Sequence, residues 1–489
     1  MTNPISLKRN FLMNAILTMS SFIFPLITFK YVSTILLPIG TGKVSLATSL
    51  ISYFTMFSQL GIPTYGVRAC ALVRDDRESL SRTVHELLHI NLIMCIFTYA
   101  VYFLALFFVP RLQEERLLYS IMSVTIVLNA IGIEWLYKGL EQYTYITIRS
   151  LAFKVIAMVA MFMLIHEQKD YIIYGVITIF AASASNIMNF FHAKRFVQTR
   201  AVGKLEYRKH FRAIGVFFAM SCAATVYTHL DVVMLGFMTT DTDVGYYNAA
   251  VRIKQILVSI VTSLGTVLLP RASYHVEKGE LEAFHRITQK ALNFVWIFAT
   301  PIMIYFMIFS AQGIFFLSSS AYSEAIRPMQ VIMPTLLFIG LTNIMGLQVL
   351  VPLGKEKIVL YSEITGAIVD LILNAILIPK YRAMGAAIGT LAAEFVVLLF
   401  QYQALKSEGI EKYFKDIHYK NIIIGIVLAT FGTVWTKHLY EGSSTTLESF
   451  IVLCTSAVFF FGIYVLFMTI HKEELVLEME KTVMKMMKK

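Results

Sequence analysis

The chain has 489 residues, 57% of them hydrophobic and only 15% charged, with a mean hydropathy of +0.67. Soluble domains carry about 25% charged residues, so the composition excludes an ordinary soluble protein. The formal charge of +11, from 42 Lys+Arg against 31 Asp+Glu, falls in short loops between apolar runs; membrane orientation and anionic lipid account for it, and no nucleic-acid partner is expected. The four cysteines, Cys70, Cys95, Cys222 and Cys454, are scattered in or beside apolar stretches with no disulfide or metal spacing. Residues 1–10 lead into the first apolar run with no small-residue cleavage site, so no cleaved signal is expected.

A membrane-crossing helix needs about 20 apolar residues. Fourteen stretches meet that requirement: 11–32, 44–63, 85–109, 117–137, 146–165, 171–192, 213–238, 247–269, 290–310, 326–351, 358–378, 384–404, 420–437 and 448–470. With the N-terminus inside, and with Lys30 and the cations near span ends counted with the adjoining segment, the inner segments hold 30 of the 42 Lys+Arg and the outer loops 9, leaving Lys154, Arg252 and Lys254 deeper in the spans. That asymmetry places both termini in the cytoplasm and makes the number of spans even. The most basic inner segment, 194–212, carries Lys194, Arg195, Arg200, Lys204, Arg208, Lys209 and Arg212 against the single acid Glu206, and it sits between the sixth and seventh spans. Beyond the last span, 471–489 mixes Leu475, Val476 and Leu477 with Lys481, Lys485, Lys488 and Lys489, which reads either as an amphipathic helix on the inner leaflet or as a polar tail.

The halves on either side of the basic segment echo each other. A shift of 203 residues lays Gly42 on Gly245, Ala47 on Ala250, Arg68 on Arg271 and Ala69 on Ala272, and a shift of 215 lays 139–141 (GLE) on 354–356 (GKE). Six spans is an even number, so the two halves share one orientation and should be related by an axis along the membrane normal, with a cavity between them. The expected fold is an all-α integral membrane protein of about fourteen transmembrane helices. Two pseudo-symmetric six-helix bundles, 1–195 and 213–405, flank a basic cytoplasmic linker, 196–212, and are followed by two extra helices in 406–470 and the tail, 471–489.

A charge at the bilayer centre costs about 2.5–3.5 kcal/mol on insertion scales, so it should face a wet cavity or a partner. Arg149 and Lys154 lie about 5 and about 12 Å in from the cytoplasmic end of span five. Glu134, in the inner third of span four, could pair with either. Glu363 and Asp370 in span eleven are two turns apart and share a helix face; Glu394 lies mid-span in span twelve. Lys30, Asp231, Arg252 and Lys254 lie toward the outer side. Spans five and eleven are equivalents in the repeat, so the first half is cationic where the second is acidic. The candidate headgroup-binding cations are Arg68, Arg149, Lys154, Arg252, Lys30 and Lys254. The candidate ion-coupling or pairing acids are Asp231, Glu363, Asp370, Glu394 and Glu134. The competing reading is that these are structural ion pairs and snorkelling side chains. Trp135, Tyr137, Tyr143 and Tyr145 fit an interfacial aromatic belt, with a sugar-stacking role for Trp135 as the alternative. No Walker loop is present, and His85 and His89 stand four apart without an HExxH pattern, so no enzyme activity is expected.

Four groups of motifs in order give the chain a resemblance. They are 10–14 (NFLMN), 24–28 (FPLIT), 40–43 (GTGK) and 60–68 (LGIPTYGVR); then 134–141 (EWLYKGLE) and 145–149 (YITIR); then 231–236 (DVVMLG), 244–247 (VGYY) and 269–273 (LPRAS); then 352–357 (PLGKEK), Gly366 and 385–390 (GAAIGT) with Glu394. Together they resemble the polysaccharide repeat-unit flippases, the O-antigen and capsule branch of the MATE-like flippase superfamily. The resemblance implies two six-helix bundles working by alternating access in the bacterial cytoplasmic membrane. It implies a substrate of short oligosaccharide on an undecaprenyl diphosphate carrier, moved from the inner to the outer leaflet. It also implies membrane lipids and polysaccharide polymerase machinery as partners, and no cofactor beyond a coupling H⁺ or Na⁺. Two positions depart from the family pattern: Lys30 stands where an uncharged residue, often Pro, is usual, and Asp370 where a small polar residue is usual. The alternatives are a drug/cation antiporter of the same fold, whose cavity should be acidic, a lipid II flippase of the same superfamily, and a membrane polymerase or ligase, which would need a long outer loop.

Overall fold

The structure is a computed structural model that describes residues 7–198, 203–406, 409, 414, 417–440, 446–473 and 475–477. The described residues are helical or irregular, with no strand among them. Ten described helices are long and apolar enough to cross a membrane, or eleven if the bent pair Ser320–Ile332 and Thr335–Leu350 is one span. The expected count of fourteen is not reproduced by that measure. One reason is that two of these helical stretches each turn at a single non-helical residue and so hold two of the expected spans. The first, α1 (Leu7–Gln59), contains the non-helical residue Leu37 at φ 59°. Leu37 precedes Pro38, whose ring disfavours helical geometry at the residue before it. The other, described below, turns at Arg382. The tail expected at 471–489 lies largely outside the described residues.

The chain divides into two compact units, Met1–Gly245 and Tyr246–Lys489. In the first, α1 is followed by α2 (Ile62–Leu72), whose start is set by Gly61 at φ 72° with a proline in its first turn. Next come α3 (Arg77–Phe108), the broken span α4 (Arg116–Gly139), α5 (Tyr143–Leu164), α6 (Gln168–Arg195) and α7 (Arg208–Met238). Asp76 caps α3 by accepting hydrogen bonds from the N–H groups of Glu78 at 3.0 Å and Ser79 at 3.3 Å. The Ser79 hydroxyl and these N–H groups hold its carboxyl below the usual range. One apolar core gathers Val32, Leu36, Tyr102, Leu118 and Ile126. A second gathers Ile62, Leu87, Trp135, Leu136 and Tyr137. Trp135 is 4% exposed and Tyr137 0%, so neither sits in a lipid-facing aromatic belt. The Trp135 ring packs so closely on Gly66 that a Cβ there would lie 2.7 Å from it, which also removes the stacking face a sugar would need.

The second unit holds most of α8 (Asp241–Glu277), then α9 (Leu281–Ile308), the bent pair, α10 (Glu356–Lys406), α11 (Tyr419–Leu439) and α12 (Thr446–Ile470). Arg382, at φ 51°, reverses α10 upon itself. Gly389 then meets Asn374, Gly366 meets Val397, and Gln401 Nε2 donates to Ser362 Oγ at 3.0 Å. Tyr305, Phe309, Phe460 and Tyr464 form the core between α9, α11 and α12.

The repeat-related glycines Gly42 and Gly245 both lie in the first unit, at a single crossing. A Cβ on Gly42 would sit 1.8 Å from the Asp241 carbonyl oxygen, and one on Gly245 2.1 Å from that of Pro38. Two backbones touch there, and a side chain on either strand forces them apart. Gly42→Ala should destabilise the protein by about 1–3 kcal/mol, read as a lower melting temperature in detergent. Gly215→Ala, where a Cβ meets nothing within 4 Å, should leave it unchanged. Equal melting temperatures for the two variants would refute this packing.

Candidate functional site

In the first unit the site grows from a break in a membrane helix. Gly132 and Ile133 interrupt α4, with Ile133 at φ 35°. The break frees backbone carbonyls within a membrane-crossing segment, where lipid cannot satisfy them, and protein side chains do so. Three amides from three helices do this. Gln59 donates to Asn129 O at 3.2 Å, Asn91 to Ala130 O at 3.0 Å and Asn189 to Gly132 O at 2.8 Å. Opposite the break, α6 carries a π-helical segment, Phe180–Ala184. There Ser183 and Asn186 both donate to Asn129 Oδ1, at 3.2 and 3.0 Å.

Beside this seam lie two of the expected cations. Arg149 is 5% exposed; it donates to Ser185 O at 3.2 Å and lies 3.4 Å from Glu134 Oε2. Glu134 also pairs with Lys138 at 2.8 Å. Tyr137, Tyr145 and His192 form a cluster of three rings with centroids 5.1, 4.3 and 5.7 Å apart, and the guanidinium lies 5.8 Å over the Tyr145 ring. One of the two partners open to Glu134 in the sequence is thereby chosen: Arg149. Lys154, further along α5, donates instead to the hydroxyls of Ser20 at 2.8 Å and Ser21 at 3.0 Å. Lys30 is half-buried on α1, Asp231 is buried on α7, and Arg68 is exposed on α2.

In the second unit, Asp370 and Glu394 are buried, at 6% and 2% exposure. The reversal in α10 brings Asp370 and Asn374 against Gly389, where a Cβ would lie 3.0 Å from Asp370 Oδ1 and 2.2 Å from Asn374 Oδ1. The neighbouring Thr390 shares a hydrogen bond of 2.9 Å with Tyr247. Glu363, two turns from Asp370, is exposed, so the shared helix face does not give the two acids the same surroundings. Arg252 and Lys254 are half-buried on α8.

Two charge clusters of the first unit were not singled out in the sequence. Glu86, on α3, is fully buried and accepts from Glu206 N–H at 2.6 Å, Lys209 at 2.8 Å and His210 at 2.8 Å. His210 in turn pairs with the Tyr65 hydroxyl at 2.7 Å. The basic segment is thus pinned to α2 and α3 by an acid one residue inside the expected third span, and that position was the available signal. At the other end of the helices, Lys43 pairs with Glu115 and Arg111 with Asp241. Tyr171 donates to Glu115 at 2.7 Å, and Arg111 Nε donates to Gly236 O at 2.9 Å. Burial pushes the Asp241 carboxyl above the usual range, with Arg111 pulling the other way.

A cavity of about 320 Å³ opens beside the seam, walled by α1, the start of α2, α4, α6 and α7, with Gln59 and Asn129 common to both.

A family model described as "Polysaccharide biosynthesis protein" matches residues 7–275, more than half of the chain. The chain belongs to this family. A second model, MatE, matches residues 217–376. A protein of Escherichia coli (strain K12), provisionally named an O-antigen transporter, is 23% identical over 402 residues, covering 81% of this chain and 96% of that protein. Among solved structures, the lipid II flippase MurJ in an inward closed conformation aligns with a TM-score of 0.72 at 15% identity, over 95% of this chain and 100% of its own. An inward-facing MATE-family multidrug resistance transporter aligns with a TM-score of 0.59 at 12% identity, over 81% and 98%. At these identities the structures speak to the fold, which is that of the MATE-like transporters.

The seam predicts a stability effect. Asn189→Ala leaves the Gly132 carbonyl buried without its amide and should cost about 1–3 kcal/mol. Thermal unfolding in detergent micelles checks it. A variant that melts with the parent would show that the break is satisfied in some other way.

Proposed function

We propose that the protein turns over short oligosaccharides carried on undecaprenyl diphosphate, from the inner to the outer leaflet of the bacterial cytoplasmic membrane, by alternating access. A diphosphate and its sugars cannot cross hydrocarbon unaided, since each desolvated charge or hydroxyl costs several kcal/mol (about 2–7 for a hydroxyl). The observation that carries the reading, within a polysaccharide biosynthesis family, is Lys154. Its backbone stands about 12 Å along the expected span, and its hydrogen bonds go to two serine hydroxyls, not to a carboxylate. Neutral hydroxyls hold the ammonium in place without cancelling its charge, which suits a passing anionic headgroup. Arg149, Arg68 and Lys30 of the first unit and, separately, Arg252 and Lys254 of the second are the further cations of the proposal.

The acids Asp231, Glu363, Asp370 and Glu394 are the proposed carriers of a coupling proton or Na⁺, with Glu134 serving Arg149. The E. coli relative's name supports a cell-surface glycan as the cargo. The excess of cations in the inner loops supports cytoplasmic termini. Machinery that polymerises the repeat units on the outer side is the implied partner. The protein itself makes and breaks no covalent bond in this scheme.

Deleting the gene should cause lipid-linked repeat units to accumulate in the membrane while surface polysaccharide disappears, measured by mass spectrometry of extracted lipids. Complementation by Lys154→Ala or Asp370→Asn should leave most of that accumulation in place, with the variant protein present in the membrane at normal amounts. Full export by both variants would remove these charges from the mechanism. A deletion strain with no accumulated lipid-linked glycan would sink the transport reading itself.

A further inference from the structure

The cavity of the first unit has a chemistry unlike that of the cationic set. Nine of its sixteen lining residues are Ser, Thr, Asn or Gln, and none is charged. Four of the hydroxyls spend their proton on their own helix. Thr48 donates to Val44 O at 2.7 Å, Ser52 to Thr48 O at 2.8 Å, Thr178 to Tyr174 O at 2.8 Å and Ser221 to Phe217 O at 3.0 Å. A carbonyl cannot donate, so the direction of each bond is fixed, and each hydroxyl keeps lone pairs for another partner. The wall therefore offers acceptors. A further hydroxyl, Thr55 Oγ1, is buried without a hydrogen-bond partner.

Acceptor oxygens without a cation disfavour phosphate and favour a ligand rich in O–H donors. The volume of about 320 Å³ is roughly ten times one water's share of the liquid and at the lower bound of small-molecule sites. A dehydrated monovalent ion would rattle in it. Ile51, Met122 and Ile179 supply apolar surface between the oxygens, matching the C–H faces of a pyranose. One side of the cavity is fixed by Gly61: a Cβ there would lie 2.5 Å from the Phe217 backbone, so α7 is held tight against the α1–α2 turn.

We propose that this cavity is a glycan subsite, which takes one neutral sugar ring of the translocated lipid-linked oligosaccharide through the acceptor oxygens of α1, α6 and α7. It rests on the transport reading above and adds to it where the sugar, as distinct from the diphosphate, is read. Headgroup charge and glycan identity are then recognised by separate residues.

The test is binding to purified protein in detergent, by native mass spectrometry, with two probes: the lipid-linked glycan extracted from the strain that encodes the protein, and glycan-free undecaprenyl diphosphate. The double variant Ser52→Ala/Ser221→Ala removes two of the acceptor hydroxyls. It should weaken the glycan-bearing lipid about tenfold and leave the glycan-free lipid unchanged. Ala182→Phe, which fills the cavity without removing a hydroxyl, should do the same. Unchanged binding of the glycan-free lipid also shows that each variant is folded. The proposal is overturned if both probes weaken equally or neither does, or if the parent binds the two lipids equally well. A parent that binds neither probe overturns the transport reading and the subsite with it.

Discussion

Inside hydrocarbon no water is at hand, so every backbone group released by a helix break must find its partner within the protein. The first unit breaks α4 at Gly132 and Ile133 and answers with amides from α1, α3 and α6. The remaining features of the candidate site follow from that commitment. Asn129 is held by Ser183 and Asn186 at the π-helical part of α6, and it forms part of the wall of the neutral cavity. Beyond the break, the chain re-enters helix at Glu134, which places that carboxylate 3.4 Å from Arg149. A buried guanidinium without such a partner would be expensive to keep charged.

The two cations of α5 differ in their surroundings. Arg149 is enclosed by a carboxylate, a carbonyl and aromatic rings. Lys154 is held by hydroxyls, a setting that leaves charge to spare. Neither arrangement carries an activity alone. With the family match and a MATE-like fold, they support a pathway that admits an anionic lipid headgroup while its sugars meet a different, uncharged surface.

Much of this was legible in the sequence. Apolar runs of about 20 residues declare membrane helices, and a charge such as Lys154 or Asp370 within one declares itself by its rarity. The motifs around Gly61, Glu134 and Gly385 pointed to the superfamily. Three things were hidden. The turns between two pairs of expected spans are made by single residues in non-helical geometry, Leu37 and Arg382, where the apolar runs left longer gaps. Gln59, Asn91 and Asn189 are neutral and do not stand out in a search for charges; their need arises only from a break that no composition reveals. Trp135 looked interfacial because tryptophan usually is, yet the adjacent Gly66 leaves a slot that buries it. The Glu86 cluster was missed because its partners, Lys209 and His210, lie more than a hundred residues away in the chain.

On this reading one chain alone moves a lipid-linked oligosaccharide between leaflets. Proteoliposomes loaded with the extracted glycan lipid test it most directly, with a glycan-specific lectin or glycosidase added outside. Without protein only the outer half of the glycan should be reached. With the protein present, and an ion gradient imposed where needed, the accessible share should rise well beyond half within minutes. Accessibility that stays at half, with the protein folded and inserted and under gradients of both H⁺ and Na⁺, would rule that activity out.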